Sequence, residues 1–345
     1  MNPSMWKKAL LVIPRMEKGE FERLDFISKW LIITRAAVLV MTFTSSAIGG
    51  LLAIRDGLFN LWYFSLCTIG LILAHATNNM VNDFTDFIKG VDRDNYFRTQ
   101  YGPHPLEQNL MSRGEFFTYL GVTGLSALLI GLFFVYIRGS IALYLLLAGA
   151  FFVLFYTFPL KYIGLGEVAV LLVWGPLMVG GTYYIVSGQI SYNAIIASLP
   201  YAIGTTTVLF GKHIDKYPMD KAKGIRTLPV LIGEAASRRA VIVMMILEIL
   251  LVIYLVISGY FSVLMLIVLF SLNVLKKSIE AYLSPKPETR PEICPPDVWP
   301  LWFVAVAFFF NRRFGLLFLL GLVLDTILIR FGIRTDIYSI ISYFR

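Results

Sequence analysis

The sequence predicts an all-α polytopic membrane protein, and three observations carry that prediction. Of 345 residues, 57% are hydrophobic and only 15% are charged, against roughly 25% charged in soluble domains. Mean hydropathy is +0.73. A bilayer core takes about 20 apolar residues per helix, and apolar runs recur along the whole chain. They leave no room for a separate soluble domain.

Residues 1–27 read as a cytoplasmic surface segment. The apolar stretch ALLVI before Pro14 is too short for the core of a cleaved signal peptide, and the charged KGEFERLD follows it. Spans are expected near 28–54, 61–81, 115–137, 140–158, 166–187, 192–211, 239–258, 260–278 and 314–331, nine in all. The run WPLWFVAVAFFF, Trp299 to Phe310, is short for a span and follows the Pro-rich linker SPKPETRPEICPP. That places it as an interfacial or re-entrant segment, within 285–313. Residues 332–345 read as a C-terminal tail.

Orientation follows from where Lys and Arg fall, because basic residues near span ends stay cytoplasmic. With the amino terminus inside, 25 of the 30 basic residues fall on the inner side, leaving Arg55, Arg138, Arg330, Arg334 and Arg345 outside. The formal charge of +8 is then a topology signal and an attraction to anionic lipid. It is no argument for nucleic acid. Cys67 and Cys294 lie far apart without ligand-like companions, which argues for neither a metal site nor a disulfide framework.

Two polar clusters interrupt this apolar chain. In HATNNMVNDFTDFIKGVDRDN, Asn79, Asn82, Asp83 and Asp86 stand at i, i+3, i+4 and i+7, with His75 one turn earlier. That spacing puts them on one helix face. Side chains this polar are costly in a bilayer and face a cavity or a partner. A merely solvated helix end would not need carboxylates and amides aligned over two turns. Oxygen ligands without Cys or a His pair suit a hard cation such as Mg²⁺. Carboxylates alone would repel a phosphate, and a metal ion between them reverses that logic.

The second cluster, GKHIDKYPMDKAKGIRTLPVLIG, places Asp215 and Asp220 before Lys221, Lys223, Gly224, Arg226 and Thr227. Both clusters sit at the cytoplasmic end of an even-numbered span, which hints at an internal repeat. Two such acidic sites facing each other could hold two metal ions about one diphosphate, with basic residues on the remaining oxygens. A basic loop that only fixes topology explains Lys216, Lys223, Arg238 and Arg239 equally well, but not the aspartates. Between the clusters, Lys161 is the only basic residue of a short turn. It either reaches a phosphate or serves as a single orientation charge. The glycines around Pro176 permit close helix approach or a kink, and Tyr156, Trp174, Tyr183 and Tyr184 are aromatics able to shield a cation or simply to pack.

Together these residues resemble the UbiA superfamily of intramembrane prenyltransferases, over about Arg35 to Asp325. The branch most similar is the menaquinone type, which prenylates 1,4-dihydroxy-2-naphthoate. The likeness is carried by Asn79, Asn82, Asp83, Asp86 and Lys89 to Asp92; by Tyr156-Thr157, Gly164-Leu165-Gly166-Glu167, Gly175-Pro176 and Thr182-Tyr183-Tyr184; by DKAKGIRTL; by Arg35; and by FNRRFGLLFLLGLVLD. The resemblance implies one transmembrane domain over 28–331, a ring of nine helices around a lipid-accessible cavity. Acidic loops at 79–114 and 212–238 would lie beneath a cytoplasmic cap in a cell-membrane protein.

It further implies Mg²⁺ held by Asn79, Asp83, Asp86, Asp215 and Asp220, and a polyprenyl diphosphate bound by Arg35, Asn79, Asn82, Arg93, Arg98, Lys161, Lys212, Lys221 and Arg226. Asp83, Asp86, Tyr156 and Lys161 would be the catalytic set. The expected reaction is Mg²⁺-dependent transfer of the polyprenyl group to an aromatic acceptor, dihydroxynaphthoate in menaquinone biosynthesis. Partners are the prenyl diphosphate, an aromatic or lipid acceptor and membrane lipid. His75, His104 and His213 have no assigned role.

Two departures from the family pattern stand out. The second acidic motif usually has two aspartates four apart, whereas Asp215 and Asp220 are five apart with Lys212 and His213 upstream. On an unbroken helix that spacing swings the side chains roughly 140° apart. Pro218 is placed to break the helix, so either a bulge restores convergence or Lys216 occupies the usual aspartate position. The loop RTQYGPHPLEQNLMSRGEF carries Gly-Pro-His-Pro where the branch has a Thr/Ser-Arg-rich stretch. Alternative acceptors are therefore a glycerol phosphate ether lipid precursor, a carotenoid end or another quinone ring. A transporter would want charges near the bilayer centre, where Glu248 is the exception among these residues. A structural membrane scaffold is the remaining alternative.

Overall fold

The computed structural model describes residues 1–90, 102–292, 294, 296 and 298–333. Among these residues the chain is all helical. In chain order the α-helices are α1 Pro3–Leu11, α2 Lys18–Glu22, α3 Phe26–Ile33, α4 Ala36–Arg55, α5 Leu61–Ile88, α6 Arg113–Arg138, α7 Ser140–Phe155, α8 Gly166–Leu172, α9 Gly181–Ser187, α10 Tyr192–Asp215, α11 Tyr217–Ala222, α12 Leu228–Ile232, α13 Glu234–Ile257, α14 Leu272–Leu283 and α15 Trp302–Arg330. Single 3₁₀ segments span Leu160–Ile163 and Val263–Ser271, and a π-helical stretch, Val173–Gly180, joins α8 to α9 around Pro176. A proline inside a helix removes one N–H and clashes with the preceding turn, and a π-bulge accommodates both.

Among the described residues six helical segments are long and apolar enough to cross a membrane: Ala36–Arg55, Leu61–Ile88, Arg113–Arg138, Gly166–Ser187, Tyr192–Asp215 and Glu234–Ile257. The sequence suggested nine. Three of those differ for identifiable reasons. Ser140–Phe155 is apolar but has only 16 residues, and the stretch expected at 260–278 divides into a 3₁₀ segment and α14. The last expected span, 314–331, is the C-terminal part of α15, whose 29 residues run unbroken from Trp302. The apolar run ending at Phe310 is thus continuous with that helix. Asn311, Arg312 and Arg313 interrupt the hydrophobicity, but none of them breaks a helix.

The expected first span, 28–54, is interrupted as well. Thr34 closes α3, its hydroxyl donating to Trp30 O, and Arg35 takes a left-handed backbone with φ 56° before α4 begins. A non-glycine residue in that region costs roughly 1–2 kcal/mol, so something must hold it there.

The chain divides into two compact units, Met1–Thr44 with Ser65–Tyr162, and Ser45–Phe64 with Ile163–Arg345. In the first, Phe21, Ile32, Ile33, Met80 and Phe116 form a buried apolar core. Helix α1 docks on α3 through Asp25, whose carboxylate caps α3 at Ile27 N and Ser28 N and also receives Asn2 N and Trp6 Nε1. Helices α6 and α7 pack on each other and expose Leu125, Leu129, Leu147 and Phe151, the outward apolar face expected toward lipid. A cavity of about 170 Å³ is lined mostly by apolar side chains, among them Phe26, Trp30, Leu73 and Tyr119. In the second unit, α10 packs against α13, α15 and the π-helical stretch, and Met245, Phe303, Phe310, Phe314 and Phe318 are fully or almost fully buried.

Candidate functional site

Helix α5 has no internal Gly or Pro over Leu71–Ile88, so its polar residues keep their helical register. Asn79, Asp83 and Asp86 are buried, as is His75 one turn earlier, and Asn82 is half-buried. The face read from spacing is therefore a turned-in polar face. Asn79, Asp83, Asp86 and His75 each have a partner within the first unit.

Asn79 Nδ2 donates to Thr34 O at 2.8 Å, and Arg35 Nη2 pairs with Asp83 Oδ1. Two adjacent turns of α5 thus grip the break between α3 and α4. The amide satisfies a carbonyl left over at the helix end, and the carboxylate takes the guanidinium that the left-handed residue projects. With Nδ2 engaged, the Asn79 Oδ1 stays available as an acceptor or ligand. His75 Nδ1 lies 2.7 Å from Thr42 Oγ1, which fixes the ring on α4.

Lys161 Nζ sits 2.9 Å from Asp86 Oδ1 and 3.1 Å from Oδ2, with both residues buried. The turn that presents Lys161 is tied down twice. Its N–H donates to Tyr156 O at 2.9 Å, and Lys89 Nζ lies 3.6 Å from the Phe158 ring centroid, a close cation–π contact. Asn78 Nδ2, on another face of α5, donates to Val153 O in the last turn of α7. Tyr156 is half-buried beside this turn. Arg93 and Arg98, also expected in the site, lie outside the described residues.

The second acidic stretch belongs to the second unit. Helix α10 ends at Asp215, and Lys216 leaves the helical conformation with φ −94° and ψ 0°. Helix α11 then starts with Pro218 in its first turn. The break that Pro218 implied is present, and it separates the two aspartates.

Their partners differ. Asp215 Oδ2 accepts Val304 N at 3.0 Å and its Oδ1 lies 3.2 Å from Lys286 Nζ. Val304 is in the first turn of α15, so Asp215 caps a helix remote in sequence, where the helix dipole favours a negative charge. Both oxygens are engaged by the chain itself. Asp220 is buried, with Lys216 Nζ 3.6 Å from its Oδ1. Lys216 therefore serves Asp220 as a counter-ion.

His213 Nδ1 lies 2.6 Å from Glu167 Oε1, both buried. Lys212 is half-buried, and Lys221 and Arg226 are exposed. The Gly224 backbone, φ 68°, lets Ile225 N return to Asp220 O at 2.9 Å and closes α11. Glu248, the mid-helix carboxylate without a sequence rationale, is fully buried beside Gly204 and Asn311.

Sequence reasoning missed Thr42, Glu167 and Lys286 as partners. All are non-local; Glu167 stood out only as part of a family motif and Lys286 only within a Pro-rich linker.

Among the described residues no three His, Cys, Asp or Glu side chains cluster tightly enough to hold a metal ion alone. The donor set of the α5 face, two carboxylates a turn apart with amides beside them and no thiol, nevertheless fits a hard cation. Mg²⁺ takes one or two carboxylates and completes its octahedron with water and substrate phosphate.

Comparison with known proteins agrees in kind. The UbiA prenyltransferase family profile matches residues 42–290. UbiA prenyltransferase domain-containing protein 1 of Mus musculus is 30% identical over 203 residues, covering 56% of this chain and 58% of that protein. The Danio rerio protein is 27% identical over 235 residues, covering 65% and 68%. The chain thus spans little more than half of most of these relatives' length, as with the Xenopus tropicalis protein, at 56%.

Among solved structures, a digeranylgeranylglyceryl phosphate synthase superposes with a TM-score of 0.60 at 18% identity, covering 90% of this chain and 99% of that one. A UbiA homologue from Aeropyrum pernix K1 gives 0.63 at 16%, covering 84% and 98%. A homologue from Archaeoglobus fulgidus bound to GPP and Mg²⁺ gives 0.53 at 14%, covering 84% and 99%. At these identities the likeness is one of fold.

Proposed function

This chain belongs to the UbiA prenyltransferase family, and from that premise we propose that it is an Mg²⁺-dependent prenyltransferase. It would move a polyprenyl group from a polyprenyl diphosphate to an aromatic acceptor, 1,4-dihydroxy-2-naphthoate. Its apolar helices and its family make it an integral multi-pass membrane protein. The distribution of basic residues supports a cytoplasmic position for the active loops.

The observation that carries this reading is the α5 face, where Asp83 and Asp86 are buried and each is matched by a cation, Arg35 and Lys161. A solvated helix end has no use for two buried, compensated carboxylates. Asn79, Asp83 and Asp86 would hold Mg²⁺, which neutralises charge on the departing diphosphate. Asp220, in the second unit, supplies an acidic ligand of the same kind, whereas Asp215 is committed to α15.

Arg35 and Lys161 bind and orient diphosphate oxygens with Asn82, and Lys212, Lys221 and Arg226 add basic charge in the second unit. As the allylic C–O bond breaks, its electron pair leaves with the diphosphate and the positive charge of these residues stabilises it. A ring carbon of the acceptor forms the new C–C bond, and with dihydroxynaphthoate the ring carboxylate departs as carbon dioxide. Tyr156, next to the turn bearing Lys161, would offer an aromatic face to the developing cation.

The acceptor is tested by product analysis. Purified protein in detergent is given a long-chain prenyl diphosphate, Mg²⁺ and either dihydroxynaphthoate or a glycerol phosphate ether lipid precursor. Prenylated naphthoquinol is the expected product. Prenylation of the glycerol phosphate alone would discard the naphthoate assignment and retain the family chemistry.

A further inference from the structure

We propose that Lys161 competes with the metal ion for Asp86, so that metal and diphosphate bind this chain as a coupled pair. The inference rests on the prenyl diphosphate reading above. One ammonium covers both carboxylate oxygens of Asp86, at 2.9 and 3.1 Å. Lys161 is 9% exposed and Asp86 6%, so water screens the pair little. Nor is Lys161 a loose surface side chain. Its N–H is bonded to Tyr156 O, and Lys89, lying over the Phe158 and Tyr162 rings, holds the same turn against the end of α5.

A divalent cation reaching Asp86 must therefore move Lys161. A buried ammonium displaced from its carboxylate requires another anion, and a diphosphate oxygen is that anion. Each ligand removes the obstacle to the other. Such coupling is reciprocal, because both binding equilibria share one free-energy term. The device also discriminates. Metal alone meets an occupied carboxylate, and diphosphate alone meets a lysine already neutralised, so each binds more tightly when both arrive.

The test is a Mn²⁺ titration of the full-length protein in detergent, read from the free-ion electron paramagnetic resonance signal. It is run with and without inorganic pyrophosphate, against a protein-free titration. Wild type is expected to bind Mn²⁺ about tenfold more tightly with pyrophosphate than without it, a coupling of ordinary size. Lys161→Met is expected to bind Mn²⁺ alone about tenfold more tightly than wild type and to lose the enhancement by pyrophosphate. Lys161→Arg keeps a cation on Asp86 and is expected to follow wild type. If Lys161→Met does not fold, Lys161→Gln carries the same expectation.

A lysine needed only for structure would leave Mn²⁺ affinity unchanged or weaken it on removal. That result, with pyrophosphate still bound by the wild type, overturns the inference alone. A wild type that binds no pyrophosphate under any condition overturns the functional reading and the inference with it.

Discussion

Arg35 holds a left-handed backbone, φ 56°, and its guanidinium pairs with the buried carboxylate of Asp83. The strain and the ion pair belong together. A residue other than glycine persists in that conformation when its surroundings over-determine it, and here Asn79 grips Thr34 O one residue earlier.

Substitution separates the two contributions. Arg35→Ala keeps the strain and leaves Asp83 uncompensated, an expected loss of about 3–5 kcal/mol. Arg35→Gly removes the same charge but relaxes the backbone, so it is expected to be about 1 kcal/mol more stable than Arg35→Ala. Thermal unfolding in detergent ranks them. Equal stability of the two variants would mean that the left-handed turn carries no strain.

Asp215 and Asp220 are predicted to fail differently. Asp215→Asn weakens the cap of α15 and the contact with Lys286, costing about 1–2 kcal/mol, while diphosphate release per folded molecule stays within a few-fold of wild type. Asp220→Asn is expected to abolish release with little change in stability. Reversal of this pattern would make Asp215 the ligand of the second motif.

The polar node at mid-helix is predicted to tolerate loss of charge but no added volume. A Cβ at Gly204 would collide with Asn311 Oδ1 and come within 3.0 Å of Glu248 Oε2. Gly204→Ala is therefore expected to destabilise by about 1–3 kcal/mol. Glu248→Gln removes an ionisable group whose two oxygens lack a hydrogen-bond partner, and is expected to be neutral or stabilising. Melting curves decide both, and a strongly destabilised Glu248→Gln would point to an essential charge.

Asp25 sets the acid behaviour of the amino-terminal segment. Burial raises its pKa, but hydrogen bonds from Ser28, Trp6 and Asn2 outweigh that and bring it to about 2. Because the folded value lies below the ordinary 3.8, the contribution is present above that value and is lost as pH falls through about 2. Trp6 fluorescence, with Trp6 Nε1 bonded to Asp25, is expected to report release of α1 only in that acid range. In Asp25→Asn the release is expected already at neutral pH.

What could be read from sequence was local. The α5 face followed from the 3-to-4 spacing of Asn79, Asp83 and Asp86 within one segment, and the break between Asp215 and Asp220 followed from Pro218. Lys161 stood out as the only basic residue of its turn. What stayed hidden was non-local. No spacing rule links Asp215 to Val304 and Lys286, and the break at Arg35, which ends one helix and precedes another, was hidden inside the long apolar run 28–54. The unity of α15 was missed because hydrophobicity and helicity part company at Asn311–Arg313. Charges there lower the hydropathy of a segment that still has every reason to remain helical.

The most direct test of the central claim is diphosphate release by the purified protein from a long-chain prenyl diphosphate, with and without Mg²⁺, beside Asp83→Ala and Asp86→Ala. Release is expected to require Mg²⁺ and an acceptor and to fall by at least about 100-fold in either variant. Release that persists at the wild-type rate in both folded variants would contradict the placement of the chemistry on the α5 face.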